Sequence, residues 1–266
     1  MKPTLIAFLT LCLCLPLAGA DKDRPLPKEV KSLKVLAEKG DARAQHYLGM
    51  IYSVGIGNIA RDLAESAKWF RKAALQGNAD AALQLGLMDY LGKGKPKDFK
   101  GALKWFSKAA LQGNAEATVM LGTMNIEGKG KPKDFKEALK WNRKAALQGN
   151  ATGQFQYGTM HYRGIGIPKD VKEALKWYRK AAENGNSQAQ FNLGSMYFNG
   201  DGVKKDIVKA YAWFSICSIF GDPQGGKFKD FVAKRMNKAQ IAKARVLATE
   251  LLQEIEVNKK ARAKKK

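Results

Sequence analysis

Asp134-Phe-Lys-Glu-Ala-Leu-Lys-Trp-Asn-Arg-Lys-Ala-Ala-Leu-Gln-Gly149 is one of five variants of a single phrase in this chain. Its tryptophan recurs as Trp69, Trp105, Trp141, Trp177 and Trp213, 36 residues apart each time, and the phrase closes at Gly77, Gly113, Gly149, Gly185 and Gly221. A second glycine series, Gly49, Gly86, Gly122, Gly158 and Gly194, marks the other half of each unit. Self-similarity at a period of about 20 to 50 residues means stacked supersecondary units, none of which buries its apolar face alone. The spacing therefore predicts an all-α array of helix-turn-helix repeats at 41–77, 78–113, 114–149, 150–185 and 186–221.

Each unit reads as two helices. The first begins after Asp41, Asn78, Asn114, Asn150 or Asn186, whose side chains accept free amide hydrogens, and stops at a Gly-x-Gly such as Gly92-Lys-Gly94. The second opens at Asp62, Asp98, Asp134, Asp170 or Asp206, and Glu65, Glu137 and Glu173 stand where a reciprocal capping box needs them. A glycine inside a helix costs about 1 kcal/mol, so its recurrence in every unit predicts close packing there.

Outside the repeats, residues 27–39 predict a capping helix within the segment 21–40. At the other end, Pro223-Gln-Gly-Gly226 predicts a turn, Phe228 to Arg235 a helix, and Asn237-Lys-Ala-Gln240 a capping box that opens a last helix to about Val257. Residues 258–266, rich in lysine, read as a disordered basic tail. Residues 1–20 combine Lys2, an apolar run and Ala18-Gly19-Ala20, the pattern of a secretory signal cut after Ala20. This predicts a periplasmic or secreted protein that retains Cys217 alone, with no internal disulfide.

The pattern Ala-x(3)-Leu-Gly-x(5)-Gly-x-Gly, then Asp, then Ala-x(2)-Trp-aromatic-x-Lys-Ala-Ala-x(2)-Gly resembles the Sel-1-like repeat family, relatives of the tetratricopeptide repeat. The resemblance implies a right-handed superhelical solenoid acting as an adaptor for proteins or peptides along a curved face. Three features depart from it. No repeat carries a cysteine pair, Asn142 replaces the aromatic after Trp141, and Asp89, Asn125 and His161 occupy a slot filled by Tyr52 and Tyr197 in the outer repeats.

Catalytic chemistry has little to stand on. His46 takes a slot held elsewhere by Leu83, Val119, Phe155 and Phe191 and reads as a packing residue; His161 reads as a surface contact. Cys217 takes the slot of Ala73, Ala109, Ala145 and Ala181, so it reads as a small spacer. With no Cys or His cluster, no Gly-x(4)-Gly-Lys-Ser/Thr, no Ser-x-x-Lys and no Lys-Thr-Gly, neither metal, cofactor nor small-molecule substrate is expected.

Charge is the remaining feature: 47 basic against 24 acidic residues, a net +23. Lys100, Lys104 and Lys108, Lys136, Lys140 and Lys144, and Lys172, Lys176 and Lys180 fall in steps of four on the second helices, so each trio shares one face. Two functions follow. The first is a non-enzymatic exported scaffold that holds a protein or peptide, an acidic one among them, on the first helices. There the variable pairs Arg43 and Tyr47, Asp80 and Gln84, Glu116 and Met120, Thr152 and Gln156, and Gln188 and Asn192 form a row. The second is a basic envelope protein that attracts anionic polymers, lipid headgroups or nucleic acid. A hydrolase ranks last. The sequence predicts that mass spectrometry of the exported protein finds Asp21 at its N-terminus; an intact Met1 would make the segment an anchor.

Overall fold

The computed structural model describes residues 28–56 and 59–263, which form thirteen helices and, apart from one isolated bridge between Ile56 and Ile59, no strand. The opening helix is α1 (Lys28–Glu38). Five pairs follow: α2 (Ala42–Val54) with α3 (Leu63–Leu75), α4 (Ala79–Leu91) with α5 (Phe99–Leu111), α6 (Ala115–Glu127) with α7 (Phe135–Leu147), α8 (Ala151–Arg163) with α9 (Val171–Glu183), and α10 (Ser187–Asn199) with α11 (Ile207–Ile219). The chain closes with α12 (Pro223–Ala233) and α13 (Lys238–Ala263). It is an all-α solenoid of consecutive packed helix pairs. Two compact units divide it, one running to Leu121 with 128–132, the other holding 122–127 and everything from Lys133. The expected signal segment lies outside the described residues.

The junctions between repeats are built from one glycine and one asparagine. At Gly77, Gly113, Gly149 and Gly185 the backbone is left-handed, with φ between 79° and 88°. The N–H of the next residue then reaches back to the carbonyl of Ala73, Ala109, Ala145 or Ala181 at 3.0–3.1 Å, the Schellman closure of a helix end. The side chains of the same asparagines turn forward: Oδ1 of Asn78, Asn114, Asn150 and Asn186 accepts from the N–H three residues on at 2.8–2.9 Å. Each of these asparagines thus ends one helix and starts the next.

Within a repeat, the two helices are tied by a backbone bond that recurs five times. The N–H of Asp62, Asp98, Asp134, Asp170 and Asp206 donates to the carbonyl of Tyr52, Asp89, Asn125, His161 and Tyr197, at 2.8–3.0 Å. This bond explains why the reciprocal capping boxes do not form. The aspartates do cap, accepting from Glu65, Glu137 and Glu173 N–H at 2.9 Å. Their own N–H groups are already committed, so those glutamates turn to Lys68, Lys140 and Lys176 instead. Asn237, with no such tie, does form the expected box with Gln240, at 3.0 and 2.8 Å.

The mid-helix glycines make room for the residue after each tryptophan. A Cβ on Gly49 would stand 2.6 Å from the ring of Phe70, on Gly86 2.5 Å from Phe106, on Gly194 2.9 Å from Phe214 and on Gly158 3.0 Å from Tyr178. The close packing expected there is thus a ring laid on a glycine, not a contact of two backbones. Where Asn142 replaces the ring it is fully buried against Gly122 and donates to the Met160 sulfur at 3.4 Å.

Buried glutamines add ties between successive repeats. Gln45, Gln154 and Gln190 donate to the carbonyls of Ala37, Ala146 and Ala182 at 3.0–3.3 Å. Gln76 and Asn184 then donate to the Oε1 of Gln45 and Gln154. Enclosed amides need such partners.

Two expectations about the C-terminal end are corrected. Pro223–Gly226 is the first turn of α12, because Asp222 caps it and Pro223 occupies its first position, where a missing N–H does no harm. The last helix does not stop at Val257 but runs through 258–263, since no glycine or proline interrupts it.

Gly86→Ala is expected to destabilise the fold by about 1–3 kcal/mol through overlap with Phe106, although alanine is the better helix former by about 1 kcal/mol. Denaturant unfolding measures this; a stabilised variant would show that the ring yields.

Candidate functional site

Each of the five first helices carries its variable pair. Arg43, Asp80, Glu116, Thr152 and Gln188 are exposed, and Tyr47, Gln84, Met120, Gln156 and Asn192 half-buried, so each helix shows the same graded edge. Two members also tie repeats together: Asp80 accepts from Asn114 Nδ2 at 3.0 Å, and Gln156 donates to Thr123 at 3.1 Å.

In the second unit this edge opens into a cavity of about 320 Å³. Gln188 and Asn192 line it, with Phe155, Tyr162, Tyr178 and Phe191 as aromatic walls and Arg163, Asp201 and Asp222 among its charged groups. Ser195 and Thr159 put small hydroxyls in it, both turned back to helix carbonyls. Tyr178 donates to Thr159 and Tyr162 to Asp201, at 3.1 and 3.3 Å, which holds those rings in place. Arg163, Tyr162 and Ser195 were not among the expected site residues. They lie five, four and one after the mid-helix glycines, on the same edge as the variable pairs, and that spacing was the available signal.

His161 is not part of this edge. Its ring packs edge-on against Tyr157 at 4.7 Å, both its nitrogens are shielded from solvent, and Asp89, Asn125 and Tyr197 in the same slot are buried. The carbonyl at this slot is also tied to the opening of the second helix, and the expected surface contact is replaced by an internal one. Asp89 there pairs with Lys95 at 2.6 Å. His46 packs as expected, 5.8 Å from the Phe70 ring, and burial lowers its pKa against an opposing pull from Asp80.

The lysine trios are exposed at Lys100, Lys104, Lys136, Lys140, Lys172, Lys176 and Lys180, and half-buried at Lys108 and Lys144. They are not separate from the tryptophans. The lysine three residues on lies over the indole, at 4.2 Å for Lys72 on Trp69, 5.9 Å for Lys108 on Trp105, 5.3 Å for Lys144 on Trp141 and 4.4 Å for Lys180 on Trp177. Trp105 and Trp141 are only half-buried, so those two indoles form an inner wall of the basic face, whereas Trp69, Trp177 and Trp213 are buried in the core.

Cys217 is fully buried, donates to the Ser187 carbonyl at 3.4 Å, and its thiol is pushed up to about 12, chiefly by burial. At neutral pH it is a protonated spacer, not a nucleophile. Among the described residues no group of three His, Cys, Asp or Glu is placed to hold a metal, and no helix is long and apolar enough to cross a membrane.

The model of the Sel1 repeat matches residues 42–78, 79–114, 115–150, 151–186 and 187–216. The units agree with the spacing of the tryptophans, shifted by one residue, the last ending at 216. No curated protein matches the sequence. Among solved structures, the chain is similar to a Sel1 repeat protein from Oxalobacter formigenes, at 28% identity over 86% of this chain and 90% of that one, TM-score 0.72. It is also similar to c5321, a protective antigen with an SLR fold present in uropathogenic Escherichia coli strains, at 29% identity and TM-score 0.55, covering 89% of this chain but 58% of that one. An immunity protein of Pseudomonas aeruginosa, Pa5087, shares the fold at 21% identity, TM-score 0.51, over 84% of each chain.

Two outcomes follow from these environments. Cys217→Ala restores the residue of the other repeats and is expected to cost less than about 1 kcal/mol, while the native thiol resists alkylation at neutral pH; ready labelling of the folded protein would contradict the burial. A histidine whose folded pKa is lowered adds stability that is complete above its unfolded value and is lost as pH falls through the folded one. The melting temperature of His46→Phe relative to wild type should therefore rise between about pH 7 and pH 5; a constant difference would remove His46 from the pH dependence.

Proposed function

The chain belongs to the Sel1 repeat family, and on that premise we propose that it is an exported, non-catalytic scaffold that holds a peptide segment of another protein on its first helices. Sel1-repeat proteins generally mediate protein–protein interaction. The observation that carries the reading is the aromatic-walled cavity between Phe155, Tyr178 and Phe191, opened by Gln188 and Asn192. Its size, about 320 Å³, is at the small end of ligand pockets and has room for one or two side chains of a peptide. Aromatic walls supply apolar contact, and the rim of amides and charges fixes direction.

Export rests on the apolar run and small residues of 1–20. A non-catalytic role is supported by a thiol held protonated and by a pair of histidines used for packing. The second reading, a basic protein attracting anionic envelope components, is favoured by the net charge and the lysine trios. Nucleic acid is the weakest of those partners, because stacking needs open rings and the indoles are covered by lysines.

Peptides selected from a displayed library against the mature chain are expected to lose binding in Ser195→Trp, which fills the cavity from α10. Reversal of Lys136, Lys140 and Lys144 to Glu should only slow association. Selected peptides that bind Ser195→Trp as well as wild type, while losing affinity steeply with salt between about 50 and 500 mM, would transfer the function to the basic face.

A further inference from the structure

The outer slots of the second helices change character once along the chain. The positions five before, one before and three after tryptophan are Lys136, Lys140 and Lys144 on α7 and Lys172, Lys176 and Lys180 on α9, but Val208, Ala212 and Ile216 on α11. The reason is α13, which packs on α11 and reaches α9. Ala212 and Ile216 are fully buried in one cluster with Ala244, Ala248 and Ile255 of α13. The face of a second helix is therefore, in this molecule, a surface on which an amphipathic helix lies.

That surface continues beyond the helix that covers it. At Asn258 of α13 a cleft of about 330 Å³ is lined by Trp177, Lys180 and Glu183 of α9 and by Leu147 of α7. Leu147 is 64% exposed, and Leu75 and Leu111 take the same slot in the other unit at 66% and 77%. Single exposed leucines are ordinary; one repeated at a fixed slot, six after Trp69, Trp105 and Trp141, is a feature of the face in those three repeats, whereas Glu183 and Ile219 take the slot in the last two.

We propose that the outer face of α7, from Leu147 along Lys144 and Lys140, docks an amphipathic helix with acidic flanks supplied by another protein. The leucine gives the apolar seat, and the positive charge of Lys140 and Lys144 on the preceding turns favours carboxylates on the helix that lies there. Among the described helices α13 is the amphipathic one already seen to lie on a second helix, and it does not suit this seat in a second copy. It carries six basic and three acidic residues, so a second copy's α13 meets like charge. This surface is separate from the cavity on the first helices, and each can fail without the other.

The test uses the full mature chain and labelled synthetic helical peptides of about five turns, with leucine on one face and glutamate on its flanks. Controls carry lysine for glutamate or a central proline. Fluorescence anisotropy should show binding of the glutamate peptide alone, weakened about tenfold or more by Lys140→Glu with Lys144→Glu and by Leu147→Ser, and unchanged by Ser195→Trp. Circular dichroism checks that each variant is folded. Equal binding of the proline-broken peptide, or indifference to all three α7 substitutions, would overturn the proposal. So would failure of the glutamate peptide to bind while vesicles of phosphatidylglycerol bind and lose the α7 variants, since the seat would then be a lipid surface.

Discussion

A ring laid on a glycine holds four of the five helix pairs together. In four of the five repeats an aromatic residue packs against the mid-helix glycine with no space for a Cβ. The contact fixes how deeply the second helix seats on the first. It also places the tryptophan beside it toward the outer face and leaves the variable pairs on the opposite edge. The recurring bond from the opening aspartate N–H to a carbonyl of the first helix sets the register of the same pair. Both devices are local, as a repeat array requires when each unit meets only its neighbours.

Because the pair is fixed from inside, the two outer surfaces are free to diverge. On the first helices the freedom produces polar pairs and, beside α12, a half-open cavity with aromatic walls. On the second helices it produces lysines that lie on indoles, each such contact contributing about 0.5–1 kcal/mol at exposed sites, and the exposed leucine slot. Where the array ends, lysines give way to Val208, Ala212 and Ile216, and α13 covers them. The closing helix supplies the capping a solenoid end needs.

Repeat boundaries and helix starts were legible in the sequence, because glycine and asparagine have specific backbone roles at each junction and recur at 36 residues. The edge carrying Gln188 and Asn192 was legible from helical spacing, and the cavity was not, since it depends on Phe155, Tyr178 and Asp222 from two helices and a cap meeting in space. The capping boxes at Glu65, Glu137 and Glu173 were misread because spacing alone does not reveal that the aspartate N–H is used by a carbonyl of the preceding helix. His161 was placed at the surface because its slot varies between repeats, although its ring packs on Tyr157 with both nitrogens shielded. The end of the lysine ladder at Val208 stood in the sequence as the sign that something covers α11.

A double-mutant cycle on Gly194 and Phe214 tests the ring-on-glycine constraint most directly. If the overlap sets the geometry of the pair, Gly194→Ala should destabilise wild type strongly and the Phe214→Leu background much less, giving a coupling of about 1 kcal/mol or more. Additive losses within about 0.5 kcal/mol would contradict it, and would mean that the glycines recur for some reason other than the ring.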